Sequence, residues 1–185
     1  MDATREPVPV VLALANAGRP TRPPGQREPQ HDGGLTTLDA ASAILAPLLP
    51  GQQLATADLP ALAELAHEVS EITSRLSAGD RPPRLETLNR IARDVIARRA
   101  LAAGPDGRLV AALQWQSAPP AAELARRAIE ELGRLNPARL RVCARPECSL
   151  LFYDTTRSNT QRWHSDAPCG WRERQQRRRS APHPS

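Results

Sequence analysis

Cys143 and Cys148 are separated by four residues, fifteen residues follow, and His164 and Cys169 are again separated by four. Two close ligand pairs divided by a loop constrain a chain strongly, because each pair bends around one side of an ion while the loop closes the other. Three thiols and one imidazole favour zinc in a closed tetrahedral site. These are all the cysteines of the chain, an odd number in one short stretch, which argues against a disulfide framework and for a reducing, cytoplasmic setting. His183 sits in a terminal Pro-His-Pro-Ser context and is a poor ligand candidate.

The residues between the pairs fit the same geometry. Pro146 tightens the first loop, Leu151, Phe152 and Tyr153 read as a returning strand, and residues 154–160 supply a polar turn. Ser165 or Asp166 is placed to cap a helix whose first turn holds Pro168 and Cys169, where a thiolate gains from the helix dipole. The expected unit is a small zinc finger over residues 138–179, a β-ribbon plus a basic helix. It holds one structural Zn2+ through Cys143, Cys148, His164 and Cys169, and residues 180–185 are expected to be a disordered tail.

Charge divides the chain at the same place. All 25 basic residues are Arg, with 15 Arg against 16 acidic residues before residue 138 and 10 against 4 from there on, so the two parts carry −1 and +6. A basic segment of this kind points to a polyanionic partner. Arg157 and Arg162 lie inside the zinc loop, and Arg172, Arg174, Arg177, Arg178 and Arg179 follow the last ligand. Together they can supply the six to ten phosphate contacts that make DNA binding steeply salt-dependent. At about 100° per residue the tail arginines surround a helix, which favours backbone contacts over base readout. Trp163 and Trp171 can stack on bases, but core support for so small a finger is the expected use.

The remainder reads as a mainly α domain over residues 1–137. Residues 8–17 are Val- and Leu-rich, too short to span a bilayer and without the basic leader of a signal peptide; they read as a short buried strand or helix. Residues 18–34 are a Pro- and Gly-rich loop that includes His31. Four amphipathic helices follow. The first carries Leu38, Ala41, Ile44, Leu45 and Leu48 after a Thr36 or Thr37 cap. The second runs from a capping Asp58 through Leu59, Leu62, Leu65, Val69, Ile72 and Leu76 to Gly79. A third has an apolar face of Leu85, Leu88, Ile91, Ala92, Val95 and Ile96. Residues 108–116 read as a short strand or pairing ribbon, and a fourth helix, with Leu124, Ala128, Ile129, Leu132 and Leu135 on one face, ends at Asn136 and Pro137. His67 beside Glu64, Glu68 and Glu71 is expected on a solvated face, and nothing in this part reads as catalytic.

The C-terminal stretch resembles the CGNR zinc finger. The residues that carry the likeness are Cys143 and Cys148, Phe152 and Asp154, Arg157 and Ser158, Arg162 with Trp163, His164 with Ser165, then Cys169, Gly170, Trp171 and Arg172. Residues 10–137, with the LETLN segment at 85–89, are similar to the ABATE-type helical domain that precedes the finger in this family. The resemblance implies a stress-related transcription regulator whose finger binds DNA, and the leading reading adds a helical part for sensing or homodimer formation. No enzyme activity is expected, because four protein ligands leave zinc no open position, and no membrane partner, because no apolar run is long enough to span a bilayer. The alternative is a protein-interaction or small-ligand module with a purely structural zinc site. Two residues depart from the family pattern. His164 stands for the usual third Cys, which preserves ligation but makes it more acid-sensitive, and Trp171 replaces the Asn of the namesake box, so no base preference carries over.

Overall fold

The apolar run at 8–17 folds as a helix, α1 (Pro9–Ala17), in the computed structural model of the chain, which describes residues 8–19, 34–145 and 148–180. Most of the linker at 18–34, with His31, lies outside these residues, as do Pro146, His183 and residues 181–185. Val10, Val11, Leu14, Ala15 and Ala17 are buried, and α1 packs against α3 (Leu59–Ala78) and α5 (Pro120–Arg134). A helix that is apolar on most of its surface is stable only inside a core.

Such a helix has a problem at its start, where Val8 offers no side-chain cap to the first N–H groups. Glu131, reaching over from α5, solves it: its carboxylate accepts from Val10 N at 3.3 Å and Val11 N at 2.8 Å. Burial pushes this carboxyl above its usual range, while the two N–H donors pull it back. At the other end, a Cβ on Gly18 would lie 2.0 Å from the Ala66 carbonyl oxygen, so α1 meets α3 so closely that only glycine fits.

The expected helices are present. In α2 (Leu38–Leu45), Thr37 Oγ1 accepts from Ala40 N at 3.2 Å, and one tighter turn, Ala46–Leu48, follows. Asp58 does not cap α3 directly. Its carboxylate accepts from Ala55 N at 2.8 Å, closing the turn Thr56–Asp58 on which α3 is built, and Gly79, at φ 81°, ends the helix in the left-handed region.

The third expected helix is shorter than its apolar pattern implied. α4 (Glu86–Ala92) stops before Val95 and Ile96, which lead into β1 (Ala97–Ala103). The turn at 104–107, with Gly107 at φ 76°, folds the chain back into β2 (Leu109–Trp115), antiparallel in register from Ala97 opposite Trp115 to Ala103 opposite Leu109. Here β-branched residues ahead of a tight turn outweigh a helical spacing that continues by coincidence. The ribbon read at 108–116 is therefore one strand of a hairpin whose first strand was not evident.

The C-terminal strands β3 (Leu140–Val142) and β4 (Leu151–Tyr153) pair antiparallel and join the same core, since Leu140, Leu151 and Tyr153 cluster with the residues of α1, α3 and α5. Asn16 fastens this junction: its Nδ2 donates to Leu151 O at 3.0 Å and its Oδ1 accepts from Leu151 N at 2.8 Å. The architecture is mainly α with two small two-stranded sheets.

Glu131→Ala strands two buried backbone donors and should cost about 2–3 kcal/mol, seen as a lower urea midpoint by circular dichroism. Because this carboxyl binds its proton more tightly in the folded chain, its own contribution to stability is full in acid and declines as pH rises through its raised pKa. Glu131→Gln should therefore flatten that part of the stability-against-pH curve.

Candidate metal centre

Cys143 follows β3 directly, and the chain turns back at once: Cys143 N donates to Leu150 O at 2.9 Å and Cys148 N to Arg145 O at 2.9 Å. This knuckle aims two sulfurs at one point. A third backbone bond, Ala144 N to Arg162 O at 2.8 Å, ties the knuckle to the segment that carries His164. Cys169 comes from the wide turn Asp166–Gly170 that leads into α6 (Trp171–Ser180).

The ligand atoms of Cys143, Cys148, His164 and Cys169 all lie within 4.8 Å of one another. His164 Nδ1 is 3.3 Å from Cys148 Sγ and 3.6 Å from Cys169 Sγ. With Zn–S near 2.3 Å and Zn–N near 2.0 Å, tetrahedral zinc places sulfurs about 3.8 Å apart and each sulfur about 3.5 Å from the nitrogen. The four residues therefore fit the ion, with Nδ1 as the histidine donor. Cys143 and Cys169 are buried, and burial pushes the Cys148 thiol up to about 12, with the neighbouring Cys143 and Cys169 adding to the rise. Burial likewise raises Cys169. Thiols that oppose one another's ionisation are a donor set a divalent cation reverses, since its charge favours all three thiolates at once.

The loop between the pairs is organised by Asp154, which is fully buried. Its carboxylate accepts from Thr156 N and Gln161 N, both at 2.8 Å, and from Thr156 Oγ1 at 2.5 Å, with Arg141 Nε 3.7 Å away. Burial alone would raise this carboxyl; the Thr156 and Gln161 bonds and Arg141 outweigh it and hold it below the usual range. Arg139, also buried, donates to the carbonyls of Asp154 and Thr156 at 2.8 Å each. Arg139 and Asp154 are thus internal supports; Asp154 is marked in the sequence by the family likeness, and Arg139 only by its position beside apolar strand residues.

The two tryptophans part company. Trp163 is half-buried against Cys143, Cys148, Phe152 and Cys169, with Arg162 5.4 Å over its ring, as a supporting residue should be. Trp171 does not support the core: it is 54% exposed on the first turn of α6. Gly170 explains the difference, because a Cβ there would lie 2.5 Å from Asp166 Oδ1, so the chain packs inward at Gly170 and outward one residue later. Neither Ser165 nor Asp166 caps a helix as expected. Asp166 instead pairs with Arg174 at 2.8 and 3.1 Å, tying the wide turn to α6.

Of the arginines expected to face a polyanion, Arg157, Arg162, Arg172, Arg178 and Arg179 are exposed and Arg174 holds Asp166; the side chain of Arg177 is outside the description. None of the described α6 side chains is buried.

One zinc per chain is expected by metal analysis, lost in Cys143→Ala or Cys169→Ala, and zinc affinity should fall in acid as protons compete for the thiolates and His164. Asp154→Ala should destabilise the finger by at least about 3 kcal/mol, because it strands Thr156 N, Gln161 N and the Arg141 charge. With its pKa depressed, the Asp154 contribution is full above the unfolded value near 4 and is lost as pH falls through the folded value, so acid should loosen this loop.

No curated protein matches the chain. Residues 139–181, which begin on the buried Arg139 and hold all four ligands, both finger strands and α6, match the CGNR zinc finger family.

Proposed function

We propose that the chain is a zinc-stabilised transcriptional regulator whose finger binds DNA, mainly through phosphate contacts. The observation that carries this reading is the exposed set Arg157, Arg162, Arg172, Arg178 and Arg179 around a metal-braced segment of net charge +6. None of the described α6 side chains is buried, and Arg178 and Arg179 lie exposed at its far end. Guanidinium groups pair with phosphate oxygens bidentately and stay charged at any physiological pH.

The zinc in this reading is structural. Four protein donors complete a tetrahedral shell and leave no position for a reacting water, and the protein is not an enzyme. The ABATE-like helical part serves as the sensing or self-association portion. Three metal-bound thiolates fit a reducing compartment such as the cytoplasm, and no helix among the described residues is long and apolar enough to cross a membrane.

Fluorescence anisotropy with labelled duplex across a salt series tests the reading. Binding should weaken with a slope of about −0.9 per phosphate contact, and Arg178→Ala with Arg179→Ala should each reduce the slope by about one. Absence of binding at low salt overturns it and leaves a protein-interaction or small-ligand module stapled by zinc.

A further inference from the structure

The hairpin β1–β2 presents a face that the described residues of its own chain leave largely exposed. Strand alternation puts Ala97, Arg99, Leu101 and Ala103 of β1 on the same side as Leu109, Ala111, Leu113 and Trp115 of β2, because these are the register partners. Seven of the eight are apolar. Leu101 and Leu109 are each 72% exposed, Leu113 is 55% and Trp115 47%. Trp115 meets Arg126 of α5, whose guanidinium stacks 4.5 Å from the ring while holding Glu123 and Glu130.

Two physical points make this arrangement incomplete. A two-stranded ribbon is marginal in water and is normally stabilised by further strands or by a packed face. The four large side chains also expose on the order of 500 Å² of apolar surface, as much as the largest patch on a typical monomer, and such patches are commonly functional.

We propose that this face packs against the same face of a second copy of the chain, making a two-fold dimer through the hairpin and not through the helices. The area fits that occupant. A standard interface takes about 800 Å² from each partner, and homodimer interfaces are about 65% apolar, so roughly 500 Å² of apolar side chain is the share one copy should bring. An isologous contact needs a single patch that is its own complement. A flat stripe of Leu101, Leu109 and Leu113, broken by one charge at Arg99, meets that need, and two-fold dimers are the commonest assembly of soluble chains. The dimer would carry two basic fingers, so a duplex would be held at two points with the gain in avidity that linkage brings. Self-association itself does not depend on DNA binding.

Light scattering on the zinc-loaded full chain, without DNA, tests the proposal. At 100 µM the expected mass is that of two chains. Leu101→Glu and Leu113→Glu, made separately, should each give a single chain at the same concentration, a rise in the dissociation constant of at least tenfold, with circular dichroism and zinc content unchanged. Both residues are exposed, so the monomer fold does not depend on them. A wild-type chain that stays single at 100 µM overturns the proposal, as does a folded variant that remains dimeric. A chain that stays single while cosedimenting with lipid vesicles overturns it equally, by assigning the face to a membrane surface.

Discussion

A helix as apolar as α1 begins with buried residues and no side-chain cap of its own, and the Glu131 carboxylate accepts from its first N–H groups instead. Much of the structure depends on that contact. With Val10 and Val11 satisfied, α1 can pack against both α3 and α5. From there Asn16 reaches β4 and sets the height and register of the strand that returns beneath the metal site. The carboxylate accepts a raised pKa in exchange for fixing the element on which the finger stands.

The metal site follows a parallel logic on a smaller scale. Asp154 does for the loop what Glu131 does for α1: a buried carboxylate gathers backbone donors that would otherwise be unsatisfied. The two differ in how the balance falls. Glu131 has two backbone donors and burial dominates, whereas Asp154 has backbone, hydroxyl and guanidinium partners that outweigh burial. The contribution of Glu131 therefore declines with rising pH and that of Asp154 with falling pH.

The ligand set was legible because metal geometry imposes spacing, and spacing is a one-dimensional property. The helices α2, α3 and α5 were legible for the same reason, since burial on one face repeats along the chain. The β1 strand was not, because Val95 and Ile96 extend a helical spacing that tertiary structure does not use. Glu131 and Asn16 were also hidden: their partners are 120 and 135 residues away, and nothing local distinguishes a carboxylate that caps a distant helix from one on a solvated face. Trp171 was misjudged because aromatic side chains near ligands usually pack, and only the close approach at Gly170 shows that this one turns outward.

The shared core of finger and bundle bears on modularity. Many small zinc-braced units behave as cassettes that can be excised and grafted onto another scaffold. This one has a floor that belongs to its neighbour: Leu140, Leu151 and Tyr153 are roofed by the helices, and the edge of β4 is hydrogen-bonded to α1. Transplanted alone, the finger would expose that floor to water, so domain shuffling or fusion engineering must carry α1 and its supports along with the metal ligands.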